Sequence, residues 1–327
     1  MSIDPNAIPI GERQVREAVE RLKPWAHVTP VMTSRTLDER SGSTVFLKCE
    51  NLQRVGAFKF RGAMNALLQL DEAARGRGVV THSSGNHGQA LALAGSLLGV
   101  PVTVVVPHTA PAIKQSAMNA YGATIRLCEP TLAAREAAVA DEVARKGLIV
   151  IHPFDNWNVI AGQATAAWEL LNQAGSLDAV VVPVGGGGLI SGTAVAVKAR
   201  SPQTLVIGVE PERADDARRS LASGKIEPSG DPRTIADGLR TSLGERPFAV
   251  VSRLVDRIDT ASEPGIVDAL RFLWERLKIV VEPSSAVVVA PLLERRIGLE
   301  GRRVGAVLSG GNVDLGPFFD ALASRWL

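Results

Sequence analysis

Short runs of β-branched apolar residues alternate with longer amphipathic stretches along most of this 327-residue chain. Apolar runs of four to eight residues are typical of buried strands, and the longer stretches with helical periodicity predict helices. Alternation of this kind indicates parallel sheets covered by helices on both faces, so we predict an α/β fold. The predicted strands are Val45–Cys49, Val79–His82, Val102–Val106, Ile125–Cys128, Leu148–His152, Ala179–Val184, Leu205–Val209 and Val304–Leu308. The predicted helices are Phe60–Ala74, Gly88–Leu98, Ala112–Tyr121, Leu132–Lys146, Val159–Gln173 and Leu189–Arg200.

Composition and charge exclude several classes of partner. The formal net charge is only +2 and the arginines are scattered, which argues against a nucleic-acid or membrane partner. Aromatic residues make up 4% of the chain, too few for a surface that stacks bases. No apolar run approaches the ~20 residues of a membrane span, and the first residues lack a signal-peptide pattern. Cys49 and Cys128 have no metal-type spacing, so we expect a reducing, cytoplasmic setting.

Four consecutive glycines, Gly185–Gly188, follow an apolar strand and precede a predicted helix. A turn without β-carbons presents several backbone N–H groups to one anion, and the helix N-terminus adds a favourable dipole. A tight turn alone needs only one or two glycines, so we interpret this segment as a phosphate cradle. The dinucleotide pattern Gly-x-Gly-x-x-Gly is matched loosely, with Glu210 at a suitable distance, which keeps a nicotinamide enzyme open as an alternative.

A lysine stands in apolar company in Gly56-Ala-Phe-Lys-Phe-Arg-Gly-Ala63, at a predicted helix start. Apolar surroundings depress the pKa of an amine, which suits Lys59 to imine formation or proton abstraction. Taken alone the segment is weak, because most lysines beside aromatic rings extend to the surface.

Two further segments place small and polar residues directly after predicted strands. Thr81-His-Ser-Ser-Gly-Asn-His-Gly-Gln89 is suited to holding a carboxylate with hydroxyls and backbone amides, although a single serine could simply cap the helix. Leu308-Ser-Gly-Gly-Asn312 ends the last strand in the same way. Ligands of parallel α/β proteins bind beyond the carboxyl ends of the strands, so we expect these turns to converge on one site.

The order of these four segments resembles that of the serine/threonine dehydratase and serine racemase family of fold-type II pyridoxal-phosphate enzymes. The similarity extends from about Thr29 to beyond Asn312. The resemblance implies a tryptophan synthase β-like fold with two parallel-rich twisted sheets flanked by helices. It also implies a large cofactor-binding domain of residues 1–52 and 152–327, a small mobile domain of residues 53–151, and a homodimer.

The resemblance further implies roles for matching residues. Lys59 would hold pyridoxal 5'-phosphate as a Schiff base and act as the base, with Phe58 beside the cofactor and Gly185–Gly188 around its phosphate. Asn86 would bond the phenolic oxygen, and Ser309 would face the pyridine nitrogen. Residues implied to hold the substrate carboxylate are Ser83, Ser84, Asn86, His87 and Arg135. A hydroxyl does not force protonation of the pyridine as a carboxylate would, which makes the cofactor a milder electron sink and suits β-elimination.

Ser84 separates two branches of the family. Racemisation needs a second acid/base on the face opposite the lysine, and racemase-like members carry Ser-Ser-Gly-Asn-His, as here. Many biosynthetic threonine dehydratases resemble Ser-Ala-Gly-Asn-His instead. The alternative for Ser84 is helix capping or a loop hydrogen bond. We expect dehydration of L-threonine or L-serine to a keto acid and ammonia, with 3-hydroxyaspartate dehydration and serine or aspartate racemisation as alternatives.

The segment Val209-Glu-Pro-Glu-Arg-Ala-Asp-Asp216 resembles the divalent-cation loop of the family. The resemblance implies ligation by Glu210, the carbonyl of Ala214 and Asp216, and oxygen ligands of this kind suit Mg²⁺ or Ca²⁺. The alternative is a solvated acidic turn. Val55, where relatives often carry threonine, and Ala57 depart from the family pattern beside Lys59.

Overall fold

The computed structural model describes residues 8–110, 112–316 and 320, without the side chains of residues 112–114. The described strands form a six-stranded sheet of order β1-β2-β10-β7-β8-β9 and a four-stranded sheet of order β5-β4-β3-β6. All neighbouring strands in these sheets run parallel except β1 and β2. The predicted α/β architecture of two parallel-rich sheets flanked by helices is confirmed.

The strands and helices have the following bounds. The strands are β1 Val31–Met32, β2 Thr44–Cys49, β3 Val79–His82, β4 Val102–Pro107, β5 Thr124–Cys128, β6 Ile149–Val150, β7 Ala179–Pro183, β8 Leu205–Pro211, β9 Arg257–Ala261 and β10 Arg303–Leu308. The first seven helices are α1 Glu12–Leu22, α2 Arg35–Ser41, α3 Lys59–Leu68, α4 Glu72–Arg77, α5 Asn86–Leu98, α6 Ala112–Ala120 and α7 Leu132–Lys146. The others are α8 Trp157–Ala174, α9 Gly188–Arg200, α10 Asp216–Ser223, α11 Glu245–Leu254, α12 Glu263–Phe272, α13 Pro283–Ala286 and α14 Ala290–Leu293.

The structure differs from the predicted elements where a cap or an edge position overrides the hydrophobic pattern. The helix predicted over Phe60–Ala74 divides in two, because the Asp71 carboxylate accepts a hydrogen bond from Ala74 N (2.7 Å) and starts a new helix. Strand β6 is shorter than predicted, with only two residues. The prediction missed β9, an edge strand of five residues that includes three polar ones and lacks a continuous apolar run.

Helix α8 packs against both α3 and α9 through glycines. A β-carbon on Gly162 of α8 would lie 2.6 Å from the carbonyl oxygen of Arg61 in α3. A β-carbon on Gly192 of α9 would lie 2.6 Å from the carbonyl oxygen of Ile160 in α8. Such close backbone approach is possible only without side chains. Helix α8 therefore fixes the spacing between the helix that begins at Lys59 and the helix that follows the four glycines.

A buried ion-pair network anchors α3 two residues after Lys59. The Arg61 guanidinium contacts the carboxylates of Glu50 and Glu169, each at 2.7 Å. Lys48 Nζ lies 2.7 Å from the second oxygen of Glu169. Arg61, Glu50 and Lys48 are buried, and each of these charges has an opposite partner, as burial of a charge requires. The network joins α3 to β2 and α8. No described helix is both long and apolar enough to span a membrane.

Candidate active site

Lys59 opens α3 beside two aromatic rings. Its Nζ donates a hydrogen bond to the carbonyl oxygen of Pro153 (2.9 Å), and it lies 5.1 Å from the ring centre of Phe58 and 6.0 Å from that of Phe154. Burial lowers the pKa of Lys59 to about 8, against a smaller opposing effect of the Glu282 carboxylate. At neutral pH a larger fraction of the Lys59 amine is therefore neutral than for an ordinary lysine, and a nucleophile or a base must be neutral to react.

The segment that precedes Lys59 pairs with the segment that contains Ser309. Phe58 N donates a hydrogen bond to Ser309 O (3.0 Å), and Gly311 N donates one to Gly56 O (2.9 Å). The Ser309 side chain is buried, and its Oγ lies 3.1 Å from Ser285 Oγ. Two motifs that are 250 residues apart in the sequence (309 minus 59) are therefore neighbours in the structure.

The four glycines connect β7 to α9 at positions where a side chain has no room. β-Carbons on Gly186 and Gly187 would lie 2.3 Å from the Phe154 ring and 2.6 Å from Leu243, and Gly187 has a φ of +86°. Helix α9 begins without a side-chain cap hydrogen bond, which leaves its first N–H groups suited to an anion. Phe154 packs against Gly186 and also faces Lys59, so the glycine loop lies close to the lysine.

Asn86 begins α5 within a network of polar side chains. Its Nδ2 lies 3.0 and 3.1 Å from the two carboxylate oxygens of Glu282. Its Oδ1 accepts a hydrogen bond from Asn312 Nδ2 (2.9 Å). Sequence reasoning missed Glu282, although one signal was available, namely an acidic residue that directly follows the apolar run Ile279–Val281 and precedes a proline. Glu282 is buried. Because glutamates are almost never buried unless they are paired, its carboxylate is part of the polar network and not a solvent-exposed surface charge.

The loop from Ser83 to His87 lies at the carboxyl end of β3. Ser83 Oγ accepts a hydrogen bond from Gly85 N (3.3 Å). Gly85 is the N-cap residue of α5, and no side chain caps the helix there, so Ser84 does not serve as its cap. Within the described residues the Ser84 hydroxyl makes no hydrogen bond. The His87 ring is buried with Nε2 3.3 Å from Ile151 O, and Nδ1 has no partner among the described groups. Burial holds the pKa of His87 well below its usual value, so the ring is neutral.

A second segment that the sequence analysis missed runs from His152 to Asp155. His152 Nδ1 accepts a hydrogen bond from Asp155 N (2.9 Å), and its ring stacks edge-on against Phe154 and His82. Burial lowers the pKa of His152 to about 4. The segment begins at the last residue of the predicted strand Leu148–His152 and contains the polar residues His152 and Asp155. This signal was present in the sequence but was not used. His82 and His152 also line a cavity of about 430 Å³ beside α7.

Arg135 lies apart from the cluster around Lys59. Its Nε donates a hydrogen bond to the carbonyl oxygen of Thr131 (3.4 Å), the N-cap residue directly before its own helix, α7. Burial first, and then the charge of Arg135, lower the pKa of His82, the residue before Ser83. In the described part of the chain, Arg135 forms no hydrogen bond with the loop from Ser83 to His87.

The candidate metal residues lie at the carboxyl end of β8 and the start of α10. The Glu210 oxygens accept hydrogen bonds from Ala217 N (3.1 Å) and Arg218 N (2.9 Å). Asp216 is buried, and neither of its carboxylate oxygens has a partner of ordinary geometry among the described residues. Burial raises the pKa of Glu210 to about 8 and that of Asp216 to about 7.

Two buried carboxylates, of which Asp216 has no hydrogen-bond partner of ordinary geometry among the described residues, fit a divalent cation, because a cation would offset the cost of burying them. Ala214, whose carbonyl was predicted as the third ligand, is also buried, and it lies between Glu210 and Asp216 in the sequence. The described residues include no group of three or more histidine, cysteine, aspartate or glutamate side chains arranged to share a metal. A cation here would therefore depend on backbone carbonyl and water oxygens as well.

Comparisons with known proteins identify a family and similar proteins for this chain. The family model described as pyridoxal-phosphate dependent enzyme matches residues 22–310. A serine racemase of Dictyostelium discoideum is 46% identical over 307 residues, which cover 93% of this chain and 95% of that protein. A β-hydroxyaspartate dehydratase of Paracoccus denitrificans is 48% identical over 298 residues, covering 91% and 95%. The crystal structure of a T.th. threonine deaminase superposes with a TM-score of 0.90 at 46% identity, covering 94% of this chain and 100% of that one.

Proposed function

The chain belongs to the family of pyridoxal-phosphate dependent enzymes, among its ammonia-lyases and racemases, and we propose that it removes water and ammonia from L-threonine or L-serine. The observation that carries this proposal is the hydrogen bond between Phe58 N and Ser309 O. It joins a lysine of lowered pKa to a buried hydroxyl within one site.

The residues around Lys59 fit pyridoxal 5'-phosphate. Lys59 would bind its aldehyde carbon, and the uncapped start of α9 after Gly185–Gly188 would bind its phosphate. Asn86 would donate to its phenolic oxygen, Ser309 would face its pyridine nitrogen, and Phe58 would flank it. When bound, the cofactor supplies an electron sink for negative charge at the substrate α-carbon.

The side chains of the protein provide the remaining steps. The Lys59 amine, with its low pKa, takes the proton from the α-carbon. The Ser83 hydroxyl would hold the substrate carboxylate together with the backbone N–H groups of Asn86 and His87 at the start of α5. The bond between the β-carbon and its hydroxyl oxygen then breaks, the oxygen takes up a proton and leaves as water, and the electron pair at the α-carbon forms a double bond to the β-carbon. The released product hydrolyses to a keto acid and ammonia.

3-Hydroxyaspartate is the second candidate substrate, and the position of Arg135 favours it. Arg135 adjoins Glu136 on α7, and Glu136 lines the same cavity as His82, the residue before Ser83, so Arg135 is the cation that we assign to the second carboxylate. A substrate with a second carboxylate gains from such a cation. The 48% identity to a β-hydroxyaspartate dehydratase also supports this candidate.

A panel assay tests these proposals. Keto acid and ammonia are measured from the L and D forms of serine and threonine and from the isomers of 3-hydroxyaspartate. If 3-hydroxyaspartate is the substrate, Arg135→Gln raises its KM and leaves the KM for L-serine nearly unchanged. Equal effects on both substrates would assign Arg135 to the α-carboxylate instead. A protein that releases keto acid from none of the panel would contradict the proposed function.

We also propose Mg²⁺ or Ca²⁺ at Glu210, Ala214 and Asp216 as a structural or activating ion, supported by the buried Asp216 oxygens, which have no partner of ordinary geometry in the described part of the chain. Racemisation by Ser84 as a second acid/base is proposed as a side activity, because its hydroxyl makes no hydrogen bond within the described residues. The homodimer, the cytoplasmic setting and the mobility of residues 53–151 stay predictions.

A further inference from the structure

Four polar groups from four separate segments form one chain of hydrogen bonds beside Lys59. Asn312 Nδ2 donates to Val55 O (2.7 Å) and to Asn86 Oδ1 (2.9 Å). Asn86 Nδ2 then donates to Glu282, whose second oxygen also accepts from Asn312 N (3.2 Å). Glu282 is held in place by its own N–H, which donates to Gly310 O (3.0 Å).

This chain fixes which way the Asn86 amide points. The oxygen and nitrogen of an asparagine side chain are distinguished by their partners. The Val55 carbonyl can only accept, so Asn312 must face it with nitrogen. The other N–H of the Asn312 amide then faces Asn86, so the Asn86 side chain must accept this hydrogen bond with its oxygen. An ionised carboxylate can only accept, so Glu282 likewise requires the Asn86 nitrogen.

The consequence for Asn86 is a defined donor. An asparagine nitrogen carries two N–H bonds, and Glu282 receives Nδ2 through two oxygens only 3.0 and 3.1 Å away. One N–H can serve both oxygens in a bifurcated bond, which leaves the other for a ligand. A phenolic oxygen that carries negative charge needs such a donor.

We infer that Glu282 is a positioning residue that holds the Asn86 amide with its nitrogen toward the cofactor's phenolic oxygen. The inference rests on the proposed function only in assigning pyridoxal phosphate to this site. Glu282 acts through Asn86, and its role depends on neither the substrate nor the reaction type.

Glu282→Gln tests the inference because it keeps the shape of the side chain. Both carboxylate oxygens face donors, Asn86 Nδ2 and Asn312 N, so a glutamine must turn its own NH₂ toward one of them. Two donors facing each other drive the Asn86 amide to flip or to move. We expect the Kd for pyridoxal phosphate, measured by titrating apoenzyme, to rise about tenfold, which corresponds to ~1.4 kcal/mol.

A double-mutant cycle separates positioning from a general structural effect. In an Asn86→Ala background, Glu282→Gln is expected to change this Kd by less than about twofold, because the amide that it orients is absent. The visible absorption band of the bound cofactor provides a second readout, which should shift in Glu282→Gln and not change further in the double variant.

Two further variants complete the test. Glu142→Gln, a buried glutamate paired with Arg126 and Lys146 on α7, is the matched control and should leave the Kd unchanged. If Glu282→Gln does not fold, Asn312→Asp replaces it, since residue 312 is exposed and an aspartate would turn an acceptor toward Asn86 Oδ1. We expect the same rise in Kd, absent in the Asn86→Ala background.

If Glu282→Gln raises the Kd for pyridoxal phosphate equally with and without Asn86, or raises it in neither background, the inference is overturned and the proposed function stays intact. Conversely, a coupled rise in Kd in a protein that dehydrates none of the substrate panel would support the role of Glu282 and refute the proposed reaction.

Discussion

The backbone N–H of Phe58 donates a hydrogen bond to the carbonyl oxygen of Ser309 at 3.0 Å. The residue before the candidate cofactor lysine is thus tied to the residue that would face the pyridine nitrogen. Because the bond is between backbone groups, it survives substitution of either side chain. The Ser309 hydroxyl can therefore be tested without separating the two segments.

Ser309→Ala should reduce kcat with little loss of stability. Among the described residues its hydroxyl has one neighbour at hydrogen-bond distance, Ser285 Oγ at 3.1 Å, so we expect about a tenfold fall in kcat from loss of a contact with the cofactor. Ser285 Oγ, by contrast, bonds both the carbonyl and the N–H of Gly310 (2.6 and 2.7 Å). Ser285→Ala should cost ~2 kcal/mol in the free energy of unfolding. Urea titrations of both variants measure the free energy of unfolding. If Ser309→Ala is destabilised more than Ser285→Ala, this explanation is wrong.

Ser84→Ala should lower racemisation, or turnover of D-substrates, more than dehydration of the L-substrate. The reason is that a second acid/base is needed only on the face opposite Lys59. Chiral chromatography of the remaining substrate, alongside the keto acid assay, gives both rates. Ser83→Ala is the control, since Ser83 bonds Gly85 N and should affect both rates alike. Equal losses in Ser84→Ala would remove its role as a second acid/base.

Gly162→Ala should destabilise the protein by ~1–3 kcal/mol, because its β-carbon would meet the carbonyl oxygen of Arg61 at 2.6 Å and the α-carbon of Gly62 at 2.7 Å. The change would also move the helix that carries Lys59. Gly76→Ala is the matched control, since nothing lies within 4 Å of its β-carbon, and a helical alanine there should gain ~0.5–1 kcal/mol. Thermal unfolding of both variants checks the prediction, and a tolerated Gly162→Ala would contradict the proposed tight spacing.

Lys59 in the cofactor-free protein should react with an amine reagent with a pH midpoint near 8. Burial lowers its pKa to about 8, so the amine is protonated and unreactive below this pH and becomes reactive as the pH rises through it. An exposed lysine responds near ~10.4 instead. Mass spectrometry of the labelled peptides follows each lysine separately. A midpoint for Lys59 near that of exposed lysines would contradict its burial.

Removal of divalent cations with EDTA should lower the unfolding temperature, and Mg²⁺ should restore it. A cation at 100 times its Kd stabilises a folded protein by ~2.7 kcal/mol. Asp216→Asn should abolish the response. The neighbouring Asp215→Asn should keep it, since Asp215 pairs with Arg219 at the surface. A wild-type protein that responds to neither EDTA nor Mg²⁺ would exclude the proposed site.

The fold class was predicted from the sequence, because the hydrophobic pattern of buried strands is encoded locally. Buried parallel strands such as Ala179–Pro183 are continuous apolar runs, and the four glycines carry their own signal. The dividing cap at Asp71 was missed because one side-chain bond outweighed a continuous helical pattern.

Glu282 and His152 were missed for a different reason. Their importance lies in partners that are distant in sequence, since Glu282 contacts Asn86 across 196 residues. The local signals, an acidic residue between an apolar run and a proline for Glu282 and polar residues at a strand end for His152, do not indicate which distant group each residue contacts. Residues that hold other residues in place are therefore visible only once the chain is folded.

The central claim is that Lys59 binds pyridoxal phosphate. The most direct test is the absorbance of the purified protein, followed by borohydride reduction and peptide mapping. We predict a visible band that reduction removes, cofactor fixed to the peptide containing Lys59, and no band in Lys59→Ala. A colourless protein that binds NADH, or cofactor fixed to a different lysine, would contradict the claim.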